Sequence, residues 1–420
     1  MKRIEGSTLV LTVIIALVLS IICMSLVLLA YFNRNLQSET LIYEKLSTNA
    51  QSAINIVLAD TTVKANQSDT LDLYDGGKDS VLITREIWGL FRVATVNAFQ
   101  SQFTYERSFM YGSALPDYMN ACLYIADHKR SISVVGNTKL IGDAYLSGLG
   151  IKPSYIAQRG YDRDHLIEGK IKKSDDRLPS LNAIYIQHIL KQLNWVEEPS
   201  YGEDGITALP SDPLKQSFSD STVLMIFSGE IILQDQSIKG KVMIFSDSII
   251  EVGETAILEN VILVAPVIKF RKTFNGSVQA FARDSIVVED ECSFRYPSAL
   301  VLAKTKSNTL QPLIKIRNHC YFDGILLTTT DDAEDIYKTY IEVGKGSSVH
   351  GILYSMGYVQ MKGNLKGVLL TDFLIYKADN VTFDNHLVDV TIDRHAMSGY
   401  FLGSSIFDKA LDQNIVQWLE

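Results

Sequence analysis

Between Ser7 and Asp75 the sequence contains no glycine and no proline, so no strong helix breaker interrupts that stretch. Charge is missing from its first part as well. Ser7 to Phe32 is 26 residues without a charged side chain. As a helix this run would extend about 39 Å, more than the ~30 Å hydrocarbon layer of a bilayer. It is too long for the core of a cleaved signal peptide, and no small-x-small cleavage pattern follows Leu29-Ala30-Tyr31-Phe32. An excess of positive charge is also absent. A net charge of −9 and a pI near 5.4 exclude the basic face that nucleic acid requires. Four cysteines in 420 residues do not make a disulfide scaffold. The chain has no phosphate loop, no GxSxG and no CxxC, and no cofactor is expected.

What is present begins with an anchor. The apolar run is marked by Ser7, Leu11, Leu19, Leu28 and Phe32, and Lys2 and Arg3 precede it. That asymmetry predicts an uncleaved single-pass anchor over residues 1–33, with the N-terminus in the cytoplasm and the bulk exported. Cys23 follows Ile22, where a lipidation signal would want a small residue. Beyond the membrane the helix can continue. Leu36, Tyr43, Ala50 and Val57 are seven apart, with Leu46 and Ala53 between them on the same stripe. This predicts an amphipathic stalk that packs on its own globular head or on a partner. The small residues at 50 and 53 would let a neighbouring backbone approach closely, so self-association through anchor and stalk is expected.

From Leu71 to Val135 short alternating strands such as SVLIT, WGLFRVATV and QFTYERSFMY are separated by turn residues. With the stalk helix they predict a small α+β head over 34–130. The second half then repeats one pattern in seven blocks: IKGKVMIF, LENVILVA, FNGSVQAF, YPSALVLA, FDGILLTT, VHGILYSM and LKGVLLTD. Their pivots are Gly240, Asn260, Gly276, Ser298, Gly324, Gly351 and Gly367, spaced 20, 16, 22, 26, 27 and 16 residues. A repeat of this size cannot bury its own apolar face and must stack on its neighbours. The aliphatic runs lack a helical period, so the expected fold is mainly β, with a right-handed parallel β-helix (β-solenoid) over 131–400. A helical insertion about 179–198 is expected to cover an edge, and an amphipathic segment at 401–420 to form a C-terminal capping helix.

Chemistry is sparsely signalled. Asp331, Asp332, Glu334 and Asp335 form an acidic run in an insertion and are the candidate ligands for a calcium ion, or a solvated loop. Asp284, Glu289, Asp290 and Glu291, with Arg283 and Arg295, are candidates for a hydrolytic carboxylate set, and read equally well as ordinary turn residues. His319 and His350 sit beside turns without a second ligand type at fixed spacing. Cys292 and Cys320 each follow an aliphatic strand residue by six, as do Ala256 and Ser347. That places the thiols in a small-residue interior column, either as stacked buried thiols or as a disulfide between adjacent strands.

Two resemblances follow from these residues. EGSTLVLTVIIALVLSII, with Lys2, Arg3, Gly6, Ser7 and Thr8 around its start, resembles the N-terminus of minor pilin-like accessory proteins of type IV pilus assembly. It departs from pilins at Leu11, the fifth residue after Gly6, where pilins carry glutamate. The repeats resemble bactofilins, the polymer-forming bacterial β-helix proteins, which lack such a head. Together they imply a non-enzymatic structural or accessory protein of a pilus-like or secretion-related envelope assembly, in the bacterial cytoplasmic membrane. Its partners would be the membrane and other envelope proteins, with no nucleic acid. The alternative is an anchored β-helix that binds or cleaves polysaccharide.

Overall fold

The computed structural model describes residues 5–60, 67–73, 80–156, 158–195, 205–304, 311–330, 338–378, 381–407 and 412–419. Its chain divides into two compact units. One comprises Met1–Val57, Ser68–Thr84 and Val96–Arg107; the other comprises Leu58–Gln67, Arg85–Thr95 and Ser108–Glu420.

The first unit is built on one uninterrupted helix, Glu5–Ala59, as the lack of glycine and proline permits. Every described side chain from Thr8 to Leu41 is exposed, whereas Leu46, Ala50, Ala53, Ile54 and Val57 are buried. Among the strand residues of this unit Val81, Ile83, Val96 and Ala98 are buried, alternating with more exposed neighbours as a one-sided sheet requires.

The second unit holds the repeats. Their strands pair in parallel and almost in register, so one residue of each block stands beside its counterpart in the next. Ile244, Leu263, Ala280, Leu300, Leu326, Leu353, Leu369 and Leu123 form one such row. Ile231, Ile250, Ile268, Ile286, Ile314, Ile341 and Val359 form a second. Val261, Leu263, Leu300, Leu302, Leu326, Leu353 and Leu369 are all fully buried in one aliphatic cluster. The alternate residues Val264, Phe281, Val301, Leu327, Tyr354 and Leu370 are buried too, in a separate cluster on the other face of the same strands. Two-sided burial is why these runs are continuously apolar.

The expected turn positions at four of the pivots are corrected: they lie inside the strands Ser293–Lys304, Tyr321–Thr330, Ser348–Met361 and Asn364–Ala378. Ser298, Gly324, Gly351 and Gly367 stand in one row. Gly351 has φ +126°, and a Cβ there would lie 2.1 Å from the Gly324 carbonyl oxygen. Glycine is required by both the conformation and the close approach of the neighbouring backbone.

The expected right-handed β-solenoid is corrected by the strand order, which closes into a parallel barrel. Strands from before the repeats join those at their end: Ala121–Ile125 pairs with Asn364–Ala378, and Lys139–Ile141 pairs with Thr391–Asp393. Local patterning sets each strand, but not a pairing across some 240 residues of chain. The separate small head over 34–130 is corrected as well. The unit boundaries fall inside the strands Ser80–Trp88, Phe91–Gln100 and Phe103–Ser113. Their residues Ile87, Trp88, Leu90, Phe91 and Met110 share a core with barrel side chains Phe245, Ile262 and Phe281.

The C-terminal capping helix is replaced by the strand Gln413–Leu419, antiparallel to Phe103–Ser113. The β-branched and aromatic sequence NIVQWL suits a sheet edge better than a helix. The helix Ala183–Trp195 lies within the expected insertion, and buries Tyr185, Ile189 and Leu193 in the outer cluster.

Candidate functional site

Among the described residues one helix is long and apolar enough to cross a membrane, Thr8–Ala59, with a mean hydropathy of 3.1 in its most apolar window. Leu11, Leu19, Leu28 and Phe32 are exposed on it, and Ser7 lies in its first turns. The stalk stripe is split by the structure. Leu36 and Tyr43 are exposed, and Tyr43 packs edge-on against Phe103 at 5.7 Å. Leu46, Ala50, Ala53 and Val57 are covered within the single chain.

The helix is fastened where it ends. Asp60, the next residue after it, is paired with Arg85 at 3.7 Å, and its carbonyl accepts a hydrogen bond from Gln413 Nε2 at 2.9 Å. From Arg85 the chain runs into a hairpin whose tip, Trp88-Gly89-Leu90, is clamped on the barrel. Gln279 accepts from the Leu90 N–H at 2.7 Å and donates to the Trp88 carbonyl at 3.0 Å. Trp88 Nε1 donates to the Asn260 carbonyl at 3.0 Å, and its ring meets Phe218 edge-on at 5.3 Å. Gly89 has φ +63°, and a Cβ there would fall 2.2 Å from Gln279 Oε1, so the clamp closes only around glycine.

Charged groups secure the flanks of this hairpin. The buried Lys241 ammonium lies 2.8 Å from Glu86 and also donates to the Phe218 and Asp220 carbonyls. The buried Arg92 guanidinium lies 4.6 Å over the Tyr111 ring and donates to Ser405 Oγ. Ser404 donates in turn to the Leu90 carbonyl. Burial pushes the nearby Tyr185 hydroxyl up to about 12, so it stays protonated. The paired Lys241 and Glu86 charges help to rigidify the hairpin's seat. This hairpin escaped the sequence reading. Its signal was Gln279 itself, a polar residue between the apolar Val278 and Ala280.

The carboxylates considered for hydrolysis each have a local partner. Arg271 bridges Glu251 at 2.7 Å and Glu289 at 3.3 Å, and Glu291 pairs with Lys272 at 3.2 Å. Asp290 accepts from the Asn318 backbone and side chain, tying two successive turns together. Arg283 pairs with its neighbour Asp284, and Arg295 with Glu259. Lysine pairing, helped by Arg295, holds the Glu259 carboxyl below the usual carboxylate range.

His319 is an exposed turn residue at φ +56°; its N–H donates to the Lys345 carbonyl. His350 lies within hydrogen-bond reach of Tyr321 and Ser348, and burial pulls its pKa down. Asp331, Asp332, Glu334 and Asp335 lie outside the described residues. Among the described residues no group of three or more His, Cys, Asp or Glu is placed to hold a metal ion.

Cys292 and Cys320 are free thiols, both buried. They occupy one interior row with Phe274 and Ser347, linked by Ser293 N–H to Phe274, Tyr321 N–H to Cys292 and Ser348 N–H to Cys320. The six-residue spacing found the thiols and the serine, but gave no sign of Phe274 between Ala256 and Cys292.

No family model matches this chain, and no curated protein matches it in sequence. Among solved structures, the competence-associated pilin ComZ from Thermus thermophilus is similar at a TM-score of 0.21 and 8% identity, over 85% of this chain and 87% of that one. A likeness at that level carries no argument about function, so the reading below rests on the residues themselves.

Proposed function

We propose that this chain is a membrane-anchored structural or accessory component of a pilus-like or secretion-related envelope assembly. The observation that carries the reading is the single helix Glu5–Ala59. Its apolar first half is exposed along its whole length, while its last turns are buried and its end is tied to Arg85 and Gln413. Lys2 and Arg3 keep the N-terminus in the cytoplasm and place the β body outside, in a non-enzymatic role. Association between copies falls to the exposed stretch ending at Tyr43, since the alanines further along are already covered.

Two measurements test this. Protease added to spheroplasts is expected to digest the body; digestion only after permeabilisation would reverse the orientation. The double change Ile15→Arg with Leu19→Arg places two charges at the centre of the apolar run, each costing about 2.5–3.5 kcal/mol for insertion. Protein retained in the carbonate-washed membrane fraction after that change would refute the anchor.

A further inference from the structure

We propose that Cys292 and Cys320 are a redox pair that closes into an intramolecular disulfide when the protein is in an oxidising compartment. The geometry comes first. The residues that follow them, Ser293 and Tyr321, are register partners on adjacent parallel strands. The Tyr321 N–H donates to the Cys292 carbonyl at 2.8 Å, so the two cysteines sit at neighbouring levels of one row. Neighbouring strands lie about 4.8 Å apart, inside the Cα separation a disulfide spans. Both side chains are buried in the same interior cluster. Each also points to a backbone carbonyl of the preceding turn, Cys292 to Arg271 at 3.0 Å and Cys320 to Glu289 at 2.9 Å. These weak thiol bonds are what closure would give up. The other cysteines lack this arrangement: Cys23 is on the anchor, and Cys122 donates to Gly142 in a different row.

The chemistry balances with one oxidant. Before the strands pack over them, a thiolate of the pair attacks a sulfur of a protein disulfide of the thiol-oxidase class, forming a mixed disulfide, and the second cysteine displaces it. Two S–H bonds break and one S–S bond forms. Two electrons and two protons leave with the oxidant, which departs as a dithiol. The bond would cross-link turns 28 positions apart in sequence and lock two barrel levels together.

The setting rests on the export proposed above, so the test separates the two claims. Full-length protein in detergent is reduced, freed of reductant and treated with diamide. It is then denatured, alkylated and weighed. The expected result is two alkyl groups, on Cys23 and Cys122, with a cross-linked fragment joining Cys292 to Cys320; reductant restores four. The diamide-dependent rise in Tm should vanish in Cys292→Ser, a change the row tolerates because Ser347 already occupies it. Four labels after diamide, or an unchanged Tm response in Cys292→Ser, would overturn the pair. The same alkylation on protein quenched directly from cells addresses the compartment. Two labels there support both claims. Four labels there, with closure by diamide in vitro, keep the pair and overturn the exported placement.

Discussion

The two faces of the barrel strands are equally buried but differently made. The inner face is repetitive: Leu300, Leu326, Leu353 and Leu369 meet residues of the same kind from the next block, and Phe270, Phe274, Phe294 and Phe322 pack on one another beside them. The outer face carries Phe281, Leu327 and Tyr354, and its core is completed by elements outside the repeat. Those elements are the Trp88–Leu90 hairpin, the helix Ala183–Trp195 and the segment around Ile406 and Phe407. Tyr354 shows the difference in one side chain. Its ring packs on Phe407 and its hydroxyl donates to the Pro179 carbonyl, both far away in sequence. An inner residue is explained by its neighbours in the repeat; an outer one needs the rest of the chain.

The largest expected effect breaks the inner face. Leu326→Ala should cost about 2–5 kcal/mol by urea unfolding in detergent, because a fully buried leucine leaves a cavity its in-register neighbours cannot fill. A loss well under 1 kcal/mol would mean that the inner row is not a continuous packed column.

The glycine row comes next. Gly351→Ala asks an alanine to hold φ +126° with its Cβ against the Gly324 carbonyl and the Phe401 ring. A loss of roughly 1–3 kcal/mol is expected, the cost of one strained backbone position. A neutral outcome would show that adjacent blocks can separate at this row without penalty.

The outer face is sharpened by Gln279→Ala, which leaves the Trp88 carbonyl and the Leu90 N–H without their partner. About 1–3 kcal/mol should be lost. Exchange of the Leu90 amide should rise more than that of inner-row amides such as Leu353. Equal changes in both would merge the faces into one cooperative unit and remove the distinction.

The smallest effect is a pH dependence. Burial pushes the Asp372 pKa up, with Lys338 and His128 partly offsetting it. Below the ordinary carboxylate value of about 3.9 both folded and unfolded chains are protonated there, and the site costs nothing. As pH rises from that value through the raised one, the folded state resists ionisation and the cost accumulates. Asp372→Asn should therefore raise Tm at pH 7 and leave it nearly unchanged at pH 3. A gain of the same size at both pH values would assign the effect to packing instead.

Reading the sequence went furthest where the physics is local. The run without glycine, proline or charge gave the helix, and the seven blocks gave the strands, the inner leucines and the pivot glycines. It failed where pairing is distant. The tail Ser404–Leu419 has a helical spacing of apolar residues, yet Gln413–Leu419 pairs as a strand with a segment some three hundred residues earlier. Nothing local to Gln279 announces its role, and only the docked hairpin shows its two partners.

What the sequence by itself determined, then, is periodicity: where the chain must be helical, where it must be extended, and which side chains must leave water. Those follow from steric and hydrophobic terms acting within a few residues. The tertiary structure alone decided which strands became neighbours. It joined Ala121–Ile125 to Asn364–Ala378 and drew the hairpin at Gly89 onto Gln279. Each of those choices closes a loop whose entropy cost is repaid only by the whole packed barrel, so no short stretch of sequence could reveal it.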